Sequence, residues 1–147
     1  MKTATETMAD NAPAAASTGR GGEQSRAAYP HTEGFAERDG QRLFYEVYGE
    51  GEETIFLLPT WSLVHSRHWK MQIPYLAQHS RVVTFDGRGN GASDRPARGY
   101  EEAEFAADAL AVLDATGTGK AVVVSFSLGA QRALLLAADQ PDRVTAA

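Results

Sequence analysis

From residue 31 onward, apolar and polar positions fall into short blocks of changing period. Over residues 34–38 and 41–48 the pattern alternates, with Leu43, Tyr45 and Val47 on one face and Asp39-Gly40 at the join. Asp-Gly accepts the positive φ angles of a tight two-residue turn, so the pair of runs predicts a β-hairpin. Gly49, Gly51 and the acidic residues around them form the next turn. Thr54 to Leu58 and Arg81 to Phe85 are short apolar runs of the kind found in buried strands. Between them lies a loop, Pro59 to Ser66, and then Trp69, Ile73 and Leu76 at helical spacing within 68–78, a helix whose length Pro74 limits. Asp86 to Tyr100 is a glycine-rich loop. Residues 101–116 form an amphipathic helix, with Phe105, Ala109, Val112 and Thr116 in one stripe and Ala106, Leu110 and Leu113 beside it. Its first turn is acidic, which suits the helix dipole, and Gly117 stops it. A strand over 121–125, a helix over 128–140 that ends before Pro141, and the start of another strand at Val144 complete the chain.

After the hairpin the order is strand, helix, strand, helix, strand, helix. That alternation predicts an α/β fold, a mostly parallel sheet with helices on both faces. Such sheets bind ligands at the C-terminal ends of their strands, which is where the loop 59–66 and Ser127 fall. Residues 31–147 are expected to form one domain. Residues 1–30 carry only Met1, Met8 and Tyr29 as larger apolar groups and are expected to be a disordered tail.

Composition narrows the function classes. The 147 residues are 43% hydrophobic and 22% charged, which fits a globular class. A net charge of -5 without a basic cluster argues against nucleic acid as a partner. The absence of cysteine excludes disulfides and thiolate metal sites, and no metal or other cofactor is expected. No run is long and apolar enough to span a bilayer, and the N-terminus lacks an apolar signal region. Glu6, Asp10 and Glu23 argue against a transit peptide, so a cytoplasmic location is the expectation.

The candidate chemistry lies at Ala-Val-Val-Val-Ser-Phe-Ser-Leu-Gly, residues 121–129. A strand ends, the chain turns within a few residues, and a helix begins with a serine at the bend. Small residues flank Ser127 two positions away, Ser125 before and Gly129 after, as a crowded strand-to-helix turn requires. With Ser125 as the nucleophile the flanks are Val123 and Ser127, and β-branched Val123 suits such a turn poorly. A rival reading makes 121–125 a core strand and Ser127 the N-cap of the next helix. Gly87-Arg88-Gly89-Asn90-Gly91 raises two further alternatives. A phosphate-binding turn fails because no helix starts after the glycines. An EF-hand fails because Arg88 sits where an oxygen ligand is needed.

Three stretches resemble the α/β-hydrolases, in particular the N-terminal half of the esterase, epoxide-hydrolase and haloperoxidase-like group. They are Phe56-Leu57-Leu58-Pro59-Thr60-Trp61 with Trp69 and Ile73-Pro74-Tyr75-Leu76, the run Asp86 to Pro96, and the segment from Asp108 through the Ser127 turn to Pro141-Asp142-Arg143-Val144. The run at 86–96 is similar to the family's D-x-R-G-x-G-x-S. The turn is similar to its G-x-S-x-G, with Ser125 in place of the first glycine. The resemblance implies Ser127 as nucleophile in cleaving an ester, amide or related bond of a small molecule. It also implies an oxyanion hole from the backbone N–H groups of Leu128 and Trp61. Where the family has His-Gly this chain has Pro59-Thr60, and Trp61 has the alternative of serving as an apolar pocket wall. Asp86 and Arg88 are assigned to holding their loop.

The family's order of Ser, then acid, then His is not completed here. Only Asp139 and Asp142 follow Ser127, and His31, His65, His68 and His79 all precede it. His65 and His68 come closest to the strand ends as surrogate bases. The expectation is therefore an N-terminal part of a serine hydrolase, with a truncated form of the fold, and inactive by itself. Val122, Val123 and Val124 are then expected on an open apolar edge, and the helix 128–140 to lose part of its cover. The alternatives are a non-catalytic interaction module whose sheet a second chain completes, or acyltransferase or peroxidase-like activity on the same scaffold.

Overall fold

The computed structural model describes residues 26–61 and 63–147. The tail expected over residues 1–30 falls largely on 1–25, outside the described residues. Of the remainder, Arg26 pairs with Glu46, and Ala28 packs beside a cluster that includes Tyr48 and Ile73.

Strands β1 (Thr32–Arg38) and β2 (Gln41–Tyr48) form the antiparallel hairpin, in register from Thr32 opposite Val47 to Arg38 opposite Gln41. Asp39 and Gly40 have φ of 51° and 74°, the two positive values that a tight hairpin turn demands. The chain continues through β3 (Thr54–Leu57), α1 (Ile73–Leu76), β4 (Arg81–Phe85), α2 (Glu102–Ala115), β5 (Ala121–Val124), α3 (Leu128–Asp139) and β6 (Val144–Ala146). The six strands form one sheet in the order β1-β2-β4-β3-β5-β6. β2 pairs antiparallel with β4, while β3–β4, β3–β5 and β5–β6 are parallel.

Strand side chains alternate between the two faces. Phe56, Val83, Phe85, Ala121 and Val123 share one buried cluster with Ala109, Val112 and Leu113 of α2 and Ala133 and Leu136 of α3. Leu57, Val82 and Tyr48 share the other with Trp69 and Ile73. Each fully buried Val, Leu or Phe stabilises the fold by roughly 1.5–3 kcal/mol. Among the described residues, no helix is long and apolar enough to cross a membrane.

Two expectations need correction. The helix expected over 68–78 is split into a 3₁₀ turn at Ser66–Trp69 and the four-residue α1, with Pro74 in the first turn of α1. Proline lacks an N–H and clashes with the preceding turn, so it opens a helix rather than lying within one. The second concerns the edge of the sheet. β6 pairs with the first half of β5, Val144 opposite Ala121 and Ala146 opposite Val122, so Val122 is not on an open edge, while no β6 residue stands opposite Val123 or Val124. On α3, Leu134 faces solvent at 69% exposure while Leu136 is buried.

Candidate active site

The connection from β3 carries α1 on one face of the sheet, and the connection from β5 carries α3 on the other. β3 and β5 are neighbours whose connections leave toward opposite faces, the position at which open α/β sheets bind ligands. Ser127 lies at this point of the sheet, directly before α3, and is exposed to solvent. Its backbone has φ 57° and ψ -131°, outside the conformations that non-glycine residues ordinarily adopt. Its side chain makes no capping hydrogen bond. Ser127 therefore holds the N-cap position without doing a cap's work, and the N-cap alternative does not describe this turn.

The crowding expected at the flanking positions has a direct cause. A Cβ at Gly129 would lie 3.1 Å from the Pro59 carbonyl oxygen, 3.3 Å from the Ser125 Cβ and 3.4 Å from the Thr60 Cα. Positions 125 and 129 thus face one another, and the loop after β3 presses on Gly129.

That loop is bonded directly to the Ser127 turn. The Leu58 N–H donates to the Val124 carbonyl at 3.0 Å, and the Thr60 hydroxyl donates to the Phe126 carbonyl at 2.9 Å. The Trp69 indole N–H donates to the Leu58 carbonyl at 3.1 Å. Thr60 is not among the residues of positive φ, so the glycine usual at this point is not needed here. Its buried hydroxyl ties the loop to the Ser127 turn instead. Trp61 follows, 55% exposed, and Leu63 on the same loop and Phe126 and Leu128 beside Ser127 are exposed apolar side chains as well. Leu128 is the first residue of α3, where a helix leaves its N–H groups without intrahelical acceptors.

The histidines are dispersed. His68 meets Phe126 edge to face, ring centres 5.7 Å apart, and its Nδ1 lies 2.9 Å from the His65 carbonyl oxygen. A carbonyl only accepts, so Nδ1 carries the proton. Nε2 is then an acceptor, buried and without a partner among the described residues. Burial holds the imidazole pKa below its ordinary value of 6.5, although the bond to His65 opposes the shift. His65 uses its own Nδ1 to accept the Arg67 N–H. His31 precedes β1 and its N–H donates to the Val47 carbonyl, while His79 precedes β4 and meets the Tyr75 ring edge to face. Asp139 closes the 12-residue α3, about 18 Å along the helix from Ser127.

Asp86 and Arg88 hold the loop after β4. Asp86 accepts the Ser66 N–H at 2.7 Å and the Ala92 N–H at 2.9 Å, and its carbonyl accepts the Ser93 hydroxyl. Arg88 makes a two-pronged pair with Asp108, both contacts at 2.6 Å. Gly91 has φ 51°, and a Cβ there would collide with the Asp86 carboxylate.

Sequence reasoning missed Arg132. It is 1% exposed, its Nε donates to Glu102 at 2.7 Å, and it lies 3.7 Å from the Phe105 ring centre. The signal was available. Gly129, Arg132, Ala133 and Leu136 form the buried stripe of α3, and a cation within such a stripe requires partners.

Residues 53–147 match the family model described as alpha/beta hydrolase fold. The chain is 40% identical over 107 residues to the putative carbamate hydrolase RutD of Caulobacter vibrioides, covering 69% of this chain and 39% of that protein. It is 36% identical over 92 residues to a non-heme haloperoxidase of Rhodococcus erythropolis, covering 62% of this chain and 33% of that protein. Among solved structures it superposes on Est816, described as an N-acyl homoserine lactone degrading enzyme, with a TM-score of 0.72 and 40% identity. That match covers 76% of this chain and 42% of Est816. The chain thus spans about two fifths of the length of these first relatives.

Proposed function

This chain belongs to the α/β-hydrolase fold family, and on that footing we propose that its protein cleaves an ester, amide or related bond of a small molecule with Ser127 as the nucleophile. The Ser127 oxygen attacks the electrophilic carbon, and negative charge gathers on the former carbonyl oxygen. The N–H of Leu128 and the N–H of Trp61 receive that charge. A preorganised donor of this kind is worth on the order of 10²–10³ in rate. Collapse of the intermediate expels the leaving group, and water then releases the acyl group from Ser127.

One observation carries this reading. An exposed serine, held at φ 57° between a strand and a helix, faces a loop that Thr60 ties to the same turn. Exposed apolar side chains, Trp61 and Leu63 on the loop after β3 and Phe126 and Leu128 beside Ser127, favour substrates with an apolar acyl portion. Relatives named as a putative carbamate hydrolase and an N-acyl homoserine lactone degrading enzyme favour a small substrate with a carbonyl centre. The proton on Ser127 needs a base. His68 directs Nδ1 at His65 and buries Nε2, and the distant Asp139 is no better placed. We assign the base and its carboxylate to the part of the relatives' length that this chain does not span. By that assignment residues 1–147 alone turn over little substrate.

The test is a fluorophosphonate probe applied to the protein expressed from its complete open reading frame. The expected result is a single adduct, mapped by peptide mass to Ser127 and absent from Ser127→Ala. An adduct on Ser125, or none on a folded protein, refutes the assignment.

A further inference from the structure

Arg132 reaches from α3 across to the loop after β3, where its Nη1 donates to the Pro59 carbonyl at 3.1 Å. We propose that Arg132 is a positioning residue for the oxyanion loop, fixing residues 59–61 against the Ser127 turn; this rests on the hydrolase reading above.

The guanidinium is itself held on two sides. Glu102 accepts from Nε at 2.7 Å, and the Phe105 ring lies beneath it at 3.7 Å. Both belong to α2 and stand three residues apart, so one helical face presents a carboxylate and a ring together. Arg132 is five residues beyond Ser127 on α3, and a helix transmits position rigidly over that span. The Pro59–Thr60 peptide is planar, so holding the Pro59 oxygen sets the plane of the whole unit. A second anchor follows at once, the Thr60 hydroxyl on the Phe126 carbonyl. Two successive residues are therefore tied to the element that carries Ser127, immediately before Trp61. Gly129 allows this approach, since a Cβ there would meet the same Pro59 oxygen. Core packing alone does not call for arginine at this point, because a leucine or methionine would continue the buried stripe without a charge to satisfy.

The experiment measures fluorophosphonate labelling of Ser127 in the protein from the complete reading frame, separating the labelling rate constant from probe affinity. Arg132→Met should lower the rate constant on the order of a hundredfold, with affinity changed less than threefold. Arg132→Lys should recover a large part of the rate, and Glu102→Gln should lie between the two. The amide resonances of Thr60 and Trp61 should move in Arg132→Met whether or not probe is present. If Arg132→Met does not fold, the milder Arg132→Lys and Glu102→Gln carry the test at a temperature where both are folded. A lower melting temperature with an unchanged rate constant shows a merely structural role and overturns the inference. A parent protein that is not labelled at Ser127 defeats the nucleophile assignment and this inference together. A labelled parent beside equally reactive variants defeats this inference alone.

Discussion

At Ser127 the backbone is held where a side chain is unwelcome. Conformations of this kind cost about 1–3 kcal/mol and persist because their surroundings enforce them. Here the enforcement comes from β5 below, α3 above and the loop after β3 alongside. Glycine reaches such angles without strain, at some cost in chain entropy. Ser127→Gly should therefore be more stable than Ser127→Ala by about 1 kcal/mol, read as the difference in urea unfolding free energy. An alanine variant as stable as the glycine variant would mean that the turn stores no strain. The sequence disclosed the serine and its small neighbours, since spacing alone records them. It did not disclose the role of Thr60, which looked like a misfit where glycine is usual. The bond from its hydroxyl to Phe126 crosses between two segments 66 residues apart, and no local pattern encodes that.

Among the elements, α2 shows how far periodicity reads. Its apolar stripe was plain, and Phe105, Ala109 and Val112 are buried as the 3.6-residue period requires. Asp108 lies on the buried side as well, wholly inaccessible, between Arg88 at 2.6 Å and Arg38 at 3.2 Å. A helical wheel ranks that aspartate as polar and leaves it at the surface. Only the positions of β1 and the loop after β4 show why it is inside. Removing one partner from a buried ion pair strands the others, at about 3–5 kcal/mol. Asp108→Asn should lose stability of that order in urea unfolding. A loss under 1 kcal/mol would mean that the two arginines find water or Glu104 instead. The region before β4 was read less well. Three apolar residues at helical spacing predicted one helix, and Pro74 divided it, leaving Trp69 to be anchored by its indole N–H.

For the whole molecule, the alternation of strands and helices was enough to give a mostly parallel sheet with cover on both faces. Strand order was not legible, since it depends on which crossover passes over which face. The strand entry at Val144 was legible, but its place beside β5 was not, since three residues carry no signal of which strand they pair with. The sheet's arrangement predicts a gradient of hydrogen exchange. β3 is bonded on both sides, to β4 and β5, and its side chains fill both cores. Phe56 and Leu57 should exchange through global unfolding, while the amides of β6 and of β1 exchange through local opening at least tenfold faster. Equal protection across all six strands would contradict this arrangement.

Asp86 has a practical consequence for anyone who would remodel the loop after β3. Its two carboxylate oxygens grip separate stretches of backbone, at Ser66 and at Ala92. A transplanted segment in place of 60–66 is therefore no independent cassette. Unless the graft offers an amide where Ser66 does, the neighbouring glycine-rich bend comes loose as well, and what was meant as a change of specificity becomes a loss of architecture.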